Sequence, residues 1–191
     1  MNEVELIRAQ LLAERTHAAE VAHACVAAID AAQPADTAAV RAFRDACVSY
    51  LVWVLTRFEQ RDQLLAERLQ ELSSPSADSH ADTLPAGLAE VAGRPGTSRE
   101  ALLKLQSALE ASPATARIAW QAFAHFFESA WSERRAAIEQ QLTELPGVAN
   151  WRAVCAVDAD SILEERNRYA RVAGQLPQGI TLERPPGAAG A

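Results

Sequence analysis

The chain has 191 residues, 49% of them hydrophobic and 23% charged, a composition that fits one ordinary domain and excludes collagen-like and strongly disordered polymers. Lys and Arg total 18 against 25 Asp and Glu, so the net charge of −7 argues against nucleic acid or an anionic membrane as partner. No stretch approaches the roughly 20 uninterrupted apolar residues of a membrane span. The acidic start, Met1 to Glu5, lacks the basic segment of a signal peptide, and a cytoplasmic location is expected. Cys25, Cys47 and Cys155 are an odd count without Cys-x-x-Cys spacing, which excludes a zinc ribbon and disfavours a disulfide framework.

Four long stretches rich in Ala, Leu, Glu, Arg and Gln are separated by prolines and glycines, and each repeats apolar residues at spacings of three and four. The first helix is expected over about residues 3 to 31, with Asn2 and Glu5 resembling a capping box and Val4, Ile7, Leu11, Ala18, Val21, Cys25 and Ala28 as its stripe. Gln33 to Asp36 breaks it. The second helix carries Val40, Phe43, Cys47, Leu51, Val54, Phe58, Leu65, Leu69 and Leu72 to about residue 72. Its middle, Tyr50 to Leu55, is apolar all round and must be covered on more than one side. Residues 73–97 have the composition of a long connection, with room for a short helix after Pro85. Thr97 and Glu100 then cap a short amphipathic helix, residues 98 to 111, expected to lay Leu102, Leu105 and Leu109 over Val52 and Trp53 of the second helix.

A third long helix follows Pro113, with the stripe Trp120, Phe123, Phe127, Ala130, Arg134, Ile138 and Leu145, and stops at Pro146-Gly147. The fourth is expected from about residue 148 or 150 to Ala173, with Trp151, Cys155, Asp158, Ile162, Glu165, Tyr169 and Val172 inward. The tail from Gly174 has no periodicity and is expected to be mobile, so the domain is read as residues 1–173. Two helical hairpins joined by one long connection make an antiparallel up-down four-helix bundle the natural architecture, all-α, with an extra short helix in the connection between the second and third long helices. Leu11, Val21, Leu51, Val54, Phe58, Phe123, Phe127, Ile162 and Tyr169 are the expected core.

Counting back from each turn, about 1.5 Å per residue, sets Glu14 and His17 on the first helix at the level of Tyr50 and Trp53 on the second, Phe127 on the third and Glu164 to Arg166 on the fourth. Glu14 occupies the apolar stripe, and Glu14 to His17 has the Glu-x-x-His spacing that puts a carboxylate and an imidazole on one face. Two readings follow: Glu14 pairs with Arg166 across the core with His17 at the boundary, or the two bind a metal. A second Glu-x-x-His, Glu20 to His23, lies off the stripe and is read as solvated.

The Glu14–His17 segment and the run Asp160 to Tyr169 together resemble the hemerythrin-like (HHE) family, four-helix bundles that hold two irons between His, Glu and Asp side chains. The resemblance places His17 at a ligand position of the opening helix. On the closing helix Asp160 replaces the family's histidine, with Glu164 as the following acidic ligand. The second helix departs from the family: its His and Glu positions become Arg57 and Arg61, or Tyr50 and Val54 by layer. On the third helix the sole candidate is His125 with Glu128, and His125 falls on the outer face. With only four histidines in the chain, the ligands implied are Glu14, His17, Asp160 and Glu164, a carboxylate-rich set suited to iron or manganese. Without metal, the same layer becomes a cavity for a small organic ligand, lined by Tyr50, Trp53, Phe127 and Trp131.

All three cysteines fall on core stripes, and Cys25 and Cys155 are expected to approach each other as reduced, buried thiols. Arg134 and Asp158 are read as an ion pair. No Ser-His-Asp order, phosphate-cradling loop or dinucleotide fingerprint is present in the sequence, so hydrolase and nucleotide chemistry are poor fits. The leading expectation is a non-enzymatic hemerythrin-like binding or regulatory module whose metal site is reduced or lost, with a small-molecule or metal ligand. The alternatives are a carboxylate-rich non-haem iron or manganese protein handling oxygen or iron, and an interaction protein that homodimerises through the second helix.

Overall fold

A computed structural model describes residues 3–31, 38–73, 97–112, 114–127 and 158–182. These form five helices: α1 (Glu3–Ala31), α2 (Ala38–Ser73), α3 (Thr97–Glu110), α4 (Ala116–Phe126) and α5 (Ala159–Ala173). The described residues contain no strand, and none of their helices is long and apolar enough to cross a membrane. Helix α1 packs on α2, α2 on α3, α3 on α4 and α4 back on α1, while α5 lies against both α1 and α2.

The three-and-four spacing decides which face of each helix goes inward. Leu11, Val21, Leu51, Val54, Phe58, Phe123 and Phe127 are all buried, and fully burying one side chain of this size contributes roughly 1.5–3 kcal/mol. Ile162 and Tyr169 are only half-buried; among the described helices, α5 packs against α1 and α2. Trp120 meets Phe123 edge-to-face and Phe123 meets Phe127 at a tilt along α4, with ring centroids 5.9 and 5.7 Å apart. At the solvent edge, the Arg117 Nε–H reaches Asp30 at 2.9 Å and ties the start of α4 to the end of α1.

Helix α3 is a full packing element rather than a cover for Trp53. Its buried residues are Ser98, Ala101, Leu105 and Ala108, while Leu102 is half-buried and Leu109 exposed. Small side chains stand at three of these four positions, where α3 meets its neighbours. The groove over Trp53 is lined by residues of α2 and by Arg168 of α5, with none from α3.

Two boundaries differ from those expected. Helix α5 begins at Ala159, because Asp158 has extended backbone torsions (φ −131°, ψ 175°) and caps the helix. Its carboxylate accepts the Ser161 N–H at 2.7 Å, and the Ser161 hydroxyl accepts the Asp158 N–H at 3.0 Å. A reciprocal pair of this kind satisfies helix-end donors that would otherwise have no partner. Asp158 is therefore an exposed cap and not an inward stripe residue. At the other end, residues 174–182 do not leave the fold: Leu176, Ile180 and Leu182 pack against the core, and the Ile180 N–H bonds the Pro177 carbonyl at 3.1 Å. Gly179 sits at φ 83°, a torsion that L side chains rarely adopt.

Several expectations lie outside the described residues. They are the connection over 74–96 with its short helix, the third helix from Glu128 onward with Trp131 and Arg134, Cys155, the fourth helix before Asp158, and the tail from 183. The side chains of Val4, Leu65, Leu69 and Leu72 lie outside them as well.

Candidate functional site

Polar groups gather where α1, α2 and α5 meet. Glu14 is wholly buried (0% exposed) on the inward stripe of α1, one turn from Leu11 and Ala18. It faces Arg61, itself 2% exposed on α2: Nη1 donates to Oε2 at 2.6 Å and Nη2 to Oε1 at 3.2 Å. The Gln10 amide donates to Oε1 at 3.1 Å from one turn back. A carboxylate in an apolar core is expensive to desolvate, and the two-pronged guanidinium with an added amide is the geometry that offsets this cost. The Arg61 guanidinium also lies 5.0 Å from the Phe58 ring centroid.

Glu165, 1% exposed on α5, forms the second centre. Its Oε1 accepts the Tyr50 hydroxyl of α2 at 2.8 Å and lies 2.8 Å from Nδ1 of His17 on α1. An ionised carboxylate can only accept, so in that state the His17 proton sits on Nδ1. The His17 ring stacks on Tyr169, centroids 3.9 Å apart and 18° between planes, and the Tyr169 hydroxyl donates to Glu20 at 2.6 Å. Burial, then the Glu165 charge, push the Tyr50 phenol well above its usual value. Burial and the bond to Glu20 raise Tyr169. Both phenols thus stay protonated and serve as donors.

The ligand positions implied by the resemblance are distributed among different partners. Glu14 is engaged by Arg61 and Gln10 rather than by Arg166, which is exposed. His17 is directed at Glu165. Asp160 is exposed in the first turn of α5, and Glu164 bonds Arg168 at 2.5 Å one turn along the same helix. Among the described residues no group of three or more His, Cys, Asp or Glu side chains is placed to hold a metal ion. Among the described residues, Glu14, the best-buried of the implied ligands, already holds a cation of the protein's own, Arg61. His125 is exposed, as its position opposite Phe123 and Phe127 required. Glu20 is half-buried through its bond to Tyr169.

Of the described residues expected to line a cavity, Tyr50 and Phe127 are fully packed in the core, and Trp53 borders open space. Cys25 and Cys47 are free and buried. The Cys47 thiol's hydrogen bond to Cys25, followed by burial, pushes the Cys47 thiol far up.

Three residues that matter here went unassigned in the sequence. Arg61 lies three positions after Phe58, on the inward face of α2, and a stripe Arg opposite a stripe Glu was the available signal. Glu165 was on the inward stripe, while the resemblance directed attention to Glu164. Gln10 lies one turn from Glu14 and had no separate signal. Against known families, curated proteins and solved structures, the chain shows no match.

Proposed function

We propose that the chain is a hemerythrin-like, antiparallel four-helix binding or regulatory module in which protein side chains have taken over the metal layer. The observation that supports this reading is the Arg61–Glu14 pair. A guanidinium on α2 supplies, inside the bundle, the positive charge that a metal would otherwise bring to a carboxylate of α1. Glu165 is similarly satisfied by Tyr50 and His17, so both acids buried among the described residues have protein partners. A bundle held this way needs no ion to neutralise its core, and its ligand-facing chemistry moves to the surface between α2 and α5.

Metal analysis of the intact chain purified without chelator tests the proposal. Iron and manganese well below one equivalent are expected, and chelator should leave the thermal midpoint unchanged. Stoichiometric iron or manganese, lost in Glu14→Gln while helicity is kept, would overturn it in favour of a carboxylate-rich non-haem metal protein.

A further inference from the structure

Outside the buried polar layer, the helices α2 and α5 frame an open groove of about 570 Å³. Its floor is the Trp53 indole, and its rim carries Ser49, Thr56 and Gln60 with two arginines, Arg57 and Arg168. Both guanidinium groups lie over the indole, 5.1 and 5.4 Å from its ring centroid. We propose that this groove is a binding site for a small planar organic anion, an aromatic ring bearing a carboxylate, which extends the binding-module reading by naming its ligand class.

Three observations carry the proposal. The first is the sign of the charge: the protein as a whole carries −7, yet among the described residues the charged side chains that line the groove are both arginines. The second is preorganisation. Arg168 is held by Glu164 at its Nε and by the Ser49 hydroxyl at Nη1, 3.4 Å away, so its guanidinium plane is fixed over the indole before any ligand arrives. The Arg57 guanidinium, half-buried on α2, lies over the same indole, so the groove presents a second cation at a fixed place. The third is shape and size. A volume near 570 Å³ falls within the roughly 300–1,000 Å³ of small-molecule sites. A flat indole flanked by flat guanidinium groups favours a ring stacked among them, with the carboxylate received by an Arg fork and the neighbouring hydroxyls.

The test uses the intact chain with naphthoate as probe and neutral naphthol and inorganic phosphate as comparisons. Binding is followed by calorimetry and by the indole N–H resonance of Trp53, assigned from Trp53→Phe. Naphthoate should bind and move that resonance, with naphthol and phosphate each weaker by about tenfold or more, since one charge-assisted contact is worth that factor. Arg168→Gln and Arg57→Gln should each weaken naphthoate about tenfold while leaving naphthol unchanged, and Arg168→Lys should recover only part of the loss. A role for Arg168 in helix packing alone would shift its thermal midpoint without moving affinity. The proposal is overturned by equal binding of naphthoate and naphthol, by absence of naphthoate binding, or by self-association that shields Trp53 in the free protein. Metal content measured on the same samples reads the metal-free module separately, so that failure in the groove is not confused with failure of that reading.

Discussion

Replacing Arg61 by Ala should be among the most damaging single changes in the polar layer. The substitution removes both prongs of a pair held at 2.6 and 3.2 Å, and leaves the Glu14 carboxylate in the core with the Gln10 amide as its remaining described donor. Breaking a buried pair from one side costs roughly 3–5 kcal/mol. That is a large share of the about 5–15 kcal/mol that holds a typical domain together. For a chain of this size it corresponds to a fall of about 6–20 °C in the thermal midpoint. Because the Arg61 side chain is buried and its guanidinium lies over the Phe58 ring, Arg61→Met separates lost charge from lost packing. The double variant Glu14→Leu with Arg61→Met removes both charges at similar volume and should recover most of the loss. Urea unfolding followed by circular dichroism gives the midpoints, with an unchanged slope confirming that the same surface is exposed. If Arg61→Ala unfolds at the wild-type midpoint, or the double variant loses the plain sum of its two singles, the pair does not act as described.

Further expectations come from other parts of the fold. Phe127→Ala should cost about 3–5 kcal/mol in denaturant unfolding, since the ring is fully buried against Phe123, and an unchanged midpoint would contradict that packing. Cys25 and Cys47 should react with a thiol reagent only at the rate the protein opens, and native labelling as fast as in urea would show that the Cys47 thiol is not protected by Cys25 and burial. The Ser161 backbone N–H, then its hydroxyl, hold the Asp158 carboxyl below its usual value. Its folded value therefore lies below its unfolded one, so the cap stabilises fully above the usual carboxylate range, about pH 4, and that contribution disappears as pH falls through the lowered folded value. The midpoint gap between wild type and Asp158→Ala should be widest near neutrality and close in strong acid, and a gap independent of pH would count against the cap.

Much of the helical framework was legible because its physics is local. The span of α1 and the inward faces of α1 and α2 follow from spacings of three and four and from the breaks at Gln33-Pro34. Glu14 was recognisable as a core carboxylate for the same reason. Its partner was not, because Arg61 is one of several arginines on α2 and only the axial setting of α2 against α1 selects it. The start of α5 was missed because Asp158-Ala-Asp-Ser161 puts a serine where the familiar capping pattern has a glutamate, and the apolar period alone does not stop at a cap. Residues 174–182 read as tail because Leu176, Ile180 and Leu182 follow no helical period, although three apolar side chains so close to a helix end have reason to fold back.

The single oxygen of Glu165 that meets both Tyr50 and His17 has a consequence for how the helices find their alignment. Ala-rich and Leu-rich stripes are smooth on the scale of a helical turn, so α5 could slide one turn along α1 and α2 and still present apolar groups to apolar groups. Such a slip displaces Glu165 by about 5.4 Å, far beyond the reach of a hydrogen bond, and leaves a carboxylate among side chains that cannot solvate it. The penalty applies on two helices at once, because the hydroxyl and the imidazole come from different elements. Glu165 thus acts as a key cut for one axial setting, and the choice among near-equivalent packings falls to a polar atom rather than to the larger apolar surface around it.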